Sequence, residues 1–296
     1  MSALYYQLLN LQAGKYQIIS VQSGVLLEKA NILFGIPVQY LTTQNTYRSV
    51  NTHIPWFARN APTLIFYAKM VHIVWKANRL AQKGVYNGEA WVDSSVGIIR
   101  ALESVGAHFE IQNVGFYRDL EEPCVFVGNH MSVLETFVLP CLIQPYRNVT
   151  FVVKESLISY PFFGPIMRSR DPVVVGRVNP RDDLKIVLEE GQNRLNHSVS
   201  VVIFPQTTRS PIFDTDKFNT LGVKLAKRAN VPVVPFALKT DAWGLGRRLK
   251  DFGKISPEKT VRIHFGNPMH ISGSGKEEHN TIVEFISANL NDWCRK

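Results

Sequence analysis

Seven short runs rich in β-branched and aromatic residues alternate with longer helical patterns from about residue 90 onward. The runs lie at 108–112, 124–128, 149–153, 172–176, 199–204, 232–238 and 261–265. Several are apolar on both alternating faces, which is typical of strands in a sheet that helices cover from both sides. The alternation predicts an α/β fold with a roughly seven-stranded mixed sheet flanked by helices.

Helical patterns with recognisable ends separate these runs. Asn179 and Pro180 supply a cap and a proline at the first helical position for a helix that continues through Leu195. Residues 92–106 predict a helix that begins at a serine cap and ends at Gly106. Two further helices are predicted at 221–229 and 282–293.

The composition is that of a globular protein. The 296 residues are 45% hydrophobic and 19% charged, a balance that allows a sizeable core. Three cysteines, Cys124, Cys141 and Cys294, show no paired or metal-ligand spacing. We expect all three to be buried, reduced thiols in a cytoplasmic setting.

Positive charge is concentrated in the first third of the chain. The net charge is +9, and residues 1–88 contain eight Lys/Arg and one acid, Glu28, which gives +7 for that region. We therefore divide the chain into a basic, membrane-associating region at 1–88 and an α/β domain at 89–296. An excess of this kind predicts an anionic partner, either a nucleic acid or a membrane surface.

Residues 63–80 favour the membrane. Lys69, His72, Lys76 and Arg79 fall on one helical stripe beside a broad apolar face that includes Trp75. This pattern is typical of an amphipathic helix lying in a lipid interface, and the alternative is a core helix with one solvated basic edge. Nucleic-acid binding is disfavoured because the basic residues lie beside apolar rather than base-reading groups.

The same segment argues against a membrane span. No window of ~18 residues is free of charge, and Lys69 falls in the middle of the best one. The first ten residues carry no positively charged stretch, so no signal peptide is predicted. We expect a peripheral or monotopic protein on the cytoplasmic face of a membrane, with membrane lipids as partners.

A first polar cluster, N-H-M-S-V-L-E (129–135), follows the apolar run C-V-F-V-G directly. Residues five apart on a continuous helix lie ~140° apart, so His130 and Glu135 can meet only if His130 precedes the helix. In that geometry Ser132 caps the helix and Glu135 reaches back from its first turn. The alternative is a capping box, in which Glu135 accepts a backbone hydrogen bond and has no catalytic role.

A second polar cluster, F-P-Q-T-T-R-S (204–210), also follows an apolar run. Because ligands gather at the carboxyl ends of strands in open α/β sheets, the two clusters can form one site. Arg209 offers a planar donor fork for phosphate, and Thr207, Thr208 and backbone N–H groups can complete an anion cradle. The alternative is a surface turn with a salt-bridged Arg209.

Together these clusters resemble the glycerolipid acyltransferase family, which includes 1-acylglycerol-3-phosphate acyltransferases. Its four blocks occur in order over residues 124–236. They are matched by Asn129, His130 and Ser132; by Lys154, Glu155, Pro161 to Gly164 and Gly176-Arg177; by Phe204, Pro205, Thr208, Arg209 and Ser210; and by V-P-V-V-P at Val231 to Pro235. The chain differs from the family pattern at Glu135, where the family has Asp, at Gln206, which replaces an acid, and at Thr207, which replaces Gly.

The resemblance implies the roles of these residues. His130 would be the general base that deprotonates an acceptor hydroxyl for attack on a fatty acyl thioester, and Glu135 would orient the imidazole. The acceptor's phosphate would be bound by Arg209, Arg177, Thr208, Gln206 and Lys154. Acyl-CoA or acyl carrier protein would be the donor, the acceptor would be a lysophospholipid, and no metal or cofactor is expected.

Two alternatives remain open on the sequence. The lipid A-type acyltransferases also have Glu in this position, so the acceptor could be of the lipid A or ornithine-lipid type. The replacements at Gln206 and Thr207 also suit a catalytically silent lipid-binding homologue. His130 and Glu135 argue against the silent homologue, because a protein that only binds lipid has no use for a base.

Overall fold

A mixed eight-stranded sheet forms the centre of the protein in the computed structural model. Its strands are β1 (Tyr47–Arg48), β2 (Phe109–Gln112), β3 (Val125–Gly128), β4 (Val149–Lys154), β5 (Val173–Val175), β6 (Ser200–Ile203), β7 (Val233–Lys239) and β8 (Val261–Phe265). Their order across the sheet is β1-β2-β8-β7-β3-β6-β4-β5. The predicted fold class is confirmed: all seven predicted strands are present, and the two-residue edge strand β1 is an addition.

The structure describes residues 41, 45–50, 53–206, 208–246 and 249–295. Most of residues 1–52, together with Thr207, therefore lies outside the described residues. Within the described part, residues from 41 onward belong to one compact unit that spans 39–296. The predicted boundary at residue 88 stays a prediction, although residues 53–88 fold as part of this unit.

Helices connect the strands and cover both faces of the sheet. They are α1 (Trp56–Asn60), α2 (Pro62–Gln82), α3 (Gly88–Glu103), α4 (Gly115–Arg118), α5 (Leu134–Ile143), α6 (Glu155–Ile158), α7 (Phe163–Arg168), α8 (Pro180–Asn196), α9 (Leu221–Ala229) and α10 (Lys276–Arg295). As predicted, Asn179 caps α8 by accepting a hydrogen bond from the Arg181 amide, and α9 has the predicted bounds. The serine cap predicted for the helix at 92–106 is wrong, since α3 begins four residues earlier behind Asn87, whose side chain accepts from the Ala90 amide.

Strand direction places the carboxyl ends of five strands at one edge. β3 pairs in parallel with both β6 and β7, and β4 pairs in parallel with both β6 and β5. β8 then runs antiparallel to β7, which makes the sheet mixed. The turns that follow β3, β4, β5, β6 and β7 therefore lie along the same edge, where ligands bind in sheets of this kind.

Two hydrophobic clusters pack against opposite faces of the central strands. One contains Phe126, Val202 and Val234 from the sheet with buried residues of α2, α3 and α5, and the other contains Val127, Ile203 and residues of α8, α9 and α10. Every residue of β3 and β6 is buried, as predicted for strands covered on both sides. The result is a rigid support for the turns at the carboxyl edge.

The cysteines only partly match the expectation from the sequence. All three are free thiols, and Cys124 and Cys141 are buried as predicted. Burial raises the pKa of Cys124 to about 11 and that of Cys141 to about 12, so neither is a reactive thiolate. The expectation of burial is wrong for Cys294, which is exposed near the end of α10 where that helix faces solvent.

Helix α2 shows features of both interpretations of the segment at 63–80, the core helix and the interfacial helix. Phe66, Met70 and Val74 are buried in the core, and Phe66 packs edge-on against Trp243 with ring centroids 4.8 Å apart. The opposite face exposes Leu64, Val71 and Trp75 beside the predicted basic stripe of Lys69, His72, Lys76 and Arg79. The guanidinium of Arg79 lies over the Trp75 ring, 4.8 Å from its centroid.

None of the helices in the described part of the chain is both long and apolar enough to cross a membrane.

Gly128, the last residue of β3, lies directly against Phe236 of β7. A Cβ at this position would come within 2.1 Å of Cε2 of that fully buried ring. We expect Gly128→Ala to lower the free energy of unfolding by about 1–3 kcal/mol, because the close-packed strands must separate to admit a methyl group. Urea denaturation measures the change. Gly176→Ala is the matched control, since a Cβ there meets nothing within 4 Å, and equal loss in both variants would contradict this account of Gly128.

Candidate active site

The side chain of Asn129 holds the turn after β3 in place by forming two hydrogen bonds to the backbone of β7. Its Nδ2 donates to the Leu238 carbonyl at 2.9 Å, and its Oδ1 accepts from the Leu238 amide at 2.8 Å. Both partners are buried. This pair of hydrogen bonds extends the β3–β7 pairing by one side chain and places His130 at the carboxyl edge of the sheet.

His130 and Glu135 face each other across this turn. The distance from His130 Nδ1 to Glu135 Oε2 is 3.9 Å, which is beyond hydrogen-bonding range. Nδ1 is buried and has no hydrogen-bond partner among the described residues, while about a fifth of the imidazole surface is exposed. A short movement of the ring toward Oε2 would complete the pair.

Glu135 is fully buried, and several donors converge on its carboxylate. Oε1 accepts from the backbone amides of Met131 at 2.7 Å and Ser132 at 2.8 Å, and from the Thr240 hydroxyl at 2.8 Å. The Ser132 hydroxyl in turn accepts from the Leu134 amide at 3.1 Å, at the start of α5. Glu135 thus accepts from the Ser132 amide as in a capping box, but the N-cap of α5 is Val133 rather than the predicted Ser132. Oε1 holds the turn, while Oε2 accepts from the Ser132 hydroxyl at 3.3 Å and faces the imidazole.

The electrostatics favour a neutral imidazole, and the donors around Glu135 favour its carboxylate form against the effect of burial. Burial, followed by the positive charges of Arg209 and Arg177, lowers the pKa of His130 to about 3, so the ring is uncharged at neutral pH. Burial raises the pKa of Glu135 above its ordinary value, and the hydrogen bonds from the turn and Thr240 counteract only part of that rise. A neutral imidazole can accept a proton, which is the state that a general base needs.

A phenyl ring supports the imidazole from one side. Phe204, which follows β6, stacks on His130 with ring centroids 4.2 Å apart and planes 17° apart. Phe204 in turn packs edge-on against Phe236 of β7, with ring centroids 5.8 Å apart. The plane of the imidazole is therefore set by side chains from the two strands that flank β3.

Two hydrogen bonds to the backbone of His130 join the second polar cluster to the first. The Gln206 Oε1 accepts from the His130 amide at 2.6 Å, and the Ser210 amide donates to the His130 carbonyl at 3.0 Å. Gln206 is buried. Its observed contact is with the turn after β3, and its predicted contact with an acceptor phosphate stays a prediction.

The predicted cationic residues lie along the same edge. Arg209 is about one-fifth exposed and forms an ion pair with Asp251, so the salt-bridged alternative is present in the structure. Arg177 follows β5 and has a left-handed backbone, φ +58°. Its positive charge contributes to the lowered pKa of His130. Lys154 ends β4 and, like Thr208, is exposed, while Thr207 lies outside the described residues.

Two residues of the site were not identified from the sequence. Thr240 directly follows β7 and reaches Glu135, and Asp251 reaches Arg209 from a loop further along the chain. The sequence indicates Thr240 only as a polar residue at the end of an apolar strand. It contains no signal for Asp251. Among the described residues, no group of three or more His, Cys, Asp or Glu side chains could hold a metal ion.

Comparisons with known proteins match this chain to acyltransferases. The acyltransferase family model matches residues 108–239. A 1-acyl-sn-glycerol-3-phosphate acyltransferase of Pseudomonas aeruginosa is 30% identical over 185 residues, which cover 62% of this chain and 67% of that protein. The coconut protein of the same name is 26% identical, over 55% of this chain and 51% of that protein, so the match spans only about half of its length.

A solved structure has the same fold. The crystal structure of PlsC from Thermotoga maritima, a 1-acyl-sn-glycerophosphate acyltransferase, superimposes with a TM-score of 0.60 at 18% identity. The superposition covers 81% of this chain and 98% of that one. At this identity the likeness concerns the fold alone.

The fold and the matched domain define the class as that of the acyltransferase enzymes. The resemblance stated from the sequence is confirmed on this evidence. The chain belongs to the glycerolipid acyltransferase family, the family of its 1-acylglycerol-3-phosphate acyltransferase relatives.

Thr240 gives a test of how the carboxylate is held. We expect Thr240→Val, which keeps the side-chain shape but removes the donor to Glu135, to lower the free energy of unfolding by about 1–3 kcal/mol. Chemical denaturation measures the loss. Thr240→Ser retains the hydroxyl and is expected to stay much closer to the wild type. Equal stability of the Val and Ser variants would show that the hydrogen bond to Glu135 contributes nothing.

Proposed function

We propose that this protein transfers a fatty acyl group from an acyl thioester to the free hydroxyl of 1-acylglycerol-3-phosphate. The observation that carries the proposal is the neutral, partly buried His130 facing Glu135 at the carboxyl edge of the sheet, with Arg209 on the adjoining turn. The curated relatives are named for this acceptor. Acyl-CoA or acyl carrier protein is the donor class.

The reaction follows from the two ring nitrogens of His130. Nδ1 faces Glu135 and leaves Nε2 to receive the proton of the acceptor hydroxyl. The hydroxyl oxygen attacks the thioester carbonyl carbon, the C–S bond breaks, and the imidazolium returns its proton to the departing thiolate to give a thiol. No covalent enzyme intermediate is needed, and the step is balanced without a cofactor.

Glu135 orients the base and stabilises the imidazolium. Its Oε2 is 3.9 Å from Nδ1, so the ring must approach for a hydrogen bond to form. Catalytic hydrogen bonds often shorten only when substrate is bound. As His130 gains charge, the attraction to the buried carboxylate increases and favours this approach.

The acceptor's own phosphate would adjust the base. The charges of Arg209 and Arg177 contribute to the low pKa of His130. A phosphate bound to these guanidinium groups would neutralise their effect on the imidazole and raise its pKa toward the working range of a general base. Binding of a phosphate-bearing acceptor would thereby activate His130.

An acyl-transfer assay across lysophospholipid acceptors, with acyl-CoA and acyl carrier protein donors, tests this function. Transfer to 1-acylglycerol-3-phosphate is expected, and His130→Ala should reduce kcat by about 10²–10⁴-fold because it removes the proton acceptor. His197→Ala is the matched control, since the ring of that exposed histidine lies away from the site and contacts the Asn193 carbonyl of α8. Undiminished transfer by His130→Ala would refute the assignment of the base. Transfer only to other lipids would refute the acceptor.

We further propose that the protein works as a peripheral protein at the cytoplasmic face of a membrane. Both the acceptor and the product are lipids that partition into bilayers. The solvent face of α2 supports this location, because Leu64, Val71 and Trp75 are exposed there next to basic side chains. Basic and aromatic residues on one exposed face suit the boundary between anionic headgroups and acyl chains.

Replacement of the basic residues of α2 tests the location. The triple variant Lys69→Gln, Lys76→Gln and Arg79→Gln should bind anionic liposomes at least about tenfold more weakly, since each cation near such a surface contributes ~1 kcal/mol. Co-sedimentation measures the change. The matched control removes the same charge from exposed residues of α8 and α9, through Lys185→Gln, Lys224→Gln and Arg228→Gln. Equal binding by both triple variants would contradict the role of α2.

A further inference from the structure

A carboxylate already occupies the arginine that the acceptor's phosphate would use. Nη2 of Arg209 forms an ion pair with Oδ1 of Asp251, and the two side chains are 22% and 35% exposed. A planar guanidinium binds carboxylate and phosphate oxygens with the same donor fork. Asp251 therefore stands where an anionic headgroup would have to bind.

The backbone of Asp251 is firmly held. Its carbonyl accepts from the Trp243 indole Nε1 at 3.1 Å, and the Tyr67 hydroxyl donates to the nearby Gly253 carbonyl at 2.7 Å. Trp243 is buried and pairs with Ile255 across the base of this loop. Because the backbone is anchored, releasing Arg209 requires only a rotation of the Asp251 side chain.

Arg209 is also held close to the catalytic turn. The adjacent Ser210 amide donates to the His130 carbonyl at 3.0 Å, which limits how far the Arg209 backbone can move. The guanidinium therefore has two competing anions within reach of one position, the Asp251 carboxylate and any phosphate that enters the site. A competing internal anion reduces the apparent affinity for the external one.

We infer that Asp251 is a specificity-determining residue that competes with the acceptor's phosphate for Arg209 and so sets the affinity for phosphate-bearing acceptors. This inference rests on the proposed function. The acceptor that binds must displace the carboxylate, so a lipid without a phosphate group gains nothing from Arg209. Asp251 thus makes entry of the acceptor conditional on its headgroup charge.

Asp251→Asn tests the inference, because it removes the competing charge and retains the shape. The KM for 1-acylglycerol-3-phosphate should fall about threefold to tenfold, the range expected for loss of a partly buried ion pair, and kcat should change by less than about twofold. Asp171→Asn is the matched control: it breaks the Arg194–Asp171 pair before β5, at the opposite edge of the sheet, and should leave KM unchanged. An unchanged or raised KM in Asp251→Asn would overturn the inference, a raised value meaning that Asp251 orients Arg209 for the acceptor.

A binding measurement separates this inference from the proposed function. Inorganic phosphate should stabilise Asp251→Asn against heat at about threefold to tenfold lower concentration than it stabilises the wild type, and Arg209→Gln should remove the effect. This measurement does not require acyl transfer. If the wild-type protein is inactive on 1-acylglycerol-3-phosphate, the proposed function is refuted. The phosphate result still decides whether Asp251 competes for Arg209. Equal phosphate midpoints in wild type and Asp251→Asn would refute the competition.

Discussion

The buried carboxylate of Glu135 is the constraint on which the candidate site depends. An ionised group with no solvent exposure is costly unless donors surround it. Here the donors come from the turn after β3 and from Thr240 at the end of β7. The donors that satisfy this one carboxylate therefore hold two neighbouring strands and the start of α5 in one geometry, and that geometry places His130.

The departures from the family pattern make physical sense in this arrangement. The extra methylene of Glu135 lets Oε1 reach the amides of its own turn while Oε2 still faces the imidazole. Gln206 provides the carbonyl oxygen that the His130 amide requires, as an acid would, but adds no negative charge beside the ring. A lower negative charge near His130 is consistent with its low pKa, which burial and two arginines already determine.

The sequence predicted the features that local pattern controls. The strands were identifiable because β-branched runs such as V-T-F-V-V are short and bounded by polar residues, and the start of α8 followed from Asn179 and Pro180. The contacts of Asn129 with Leu238, Glu135 with Thr240 and Arg209 with Asp251 were not predictable, because each joins residues at least about forty positions apart. Strand β1 was not predicted because two residues show no periodicity. Helix α3 begins before the predicted residue 92 because Asn87 caps it.

The stacking of Phe204 on His130 limits how the imidazole can move. With a phenyl ring parallel to one face at 4.2 Å, the imidazole cannot flip or tilt without losing that contact, but it can slide within its own plane. Sliding is the motion that would shorten the gap to Glu135. The stacked pair therefore restricts the imidazole to motion in its own plane, and under the proposed function the proton would be taken and returned along that direction.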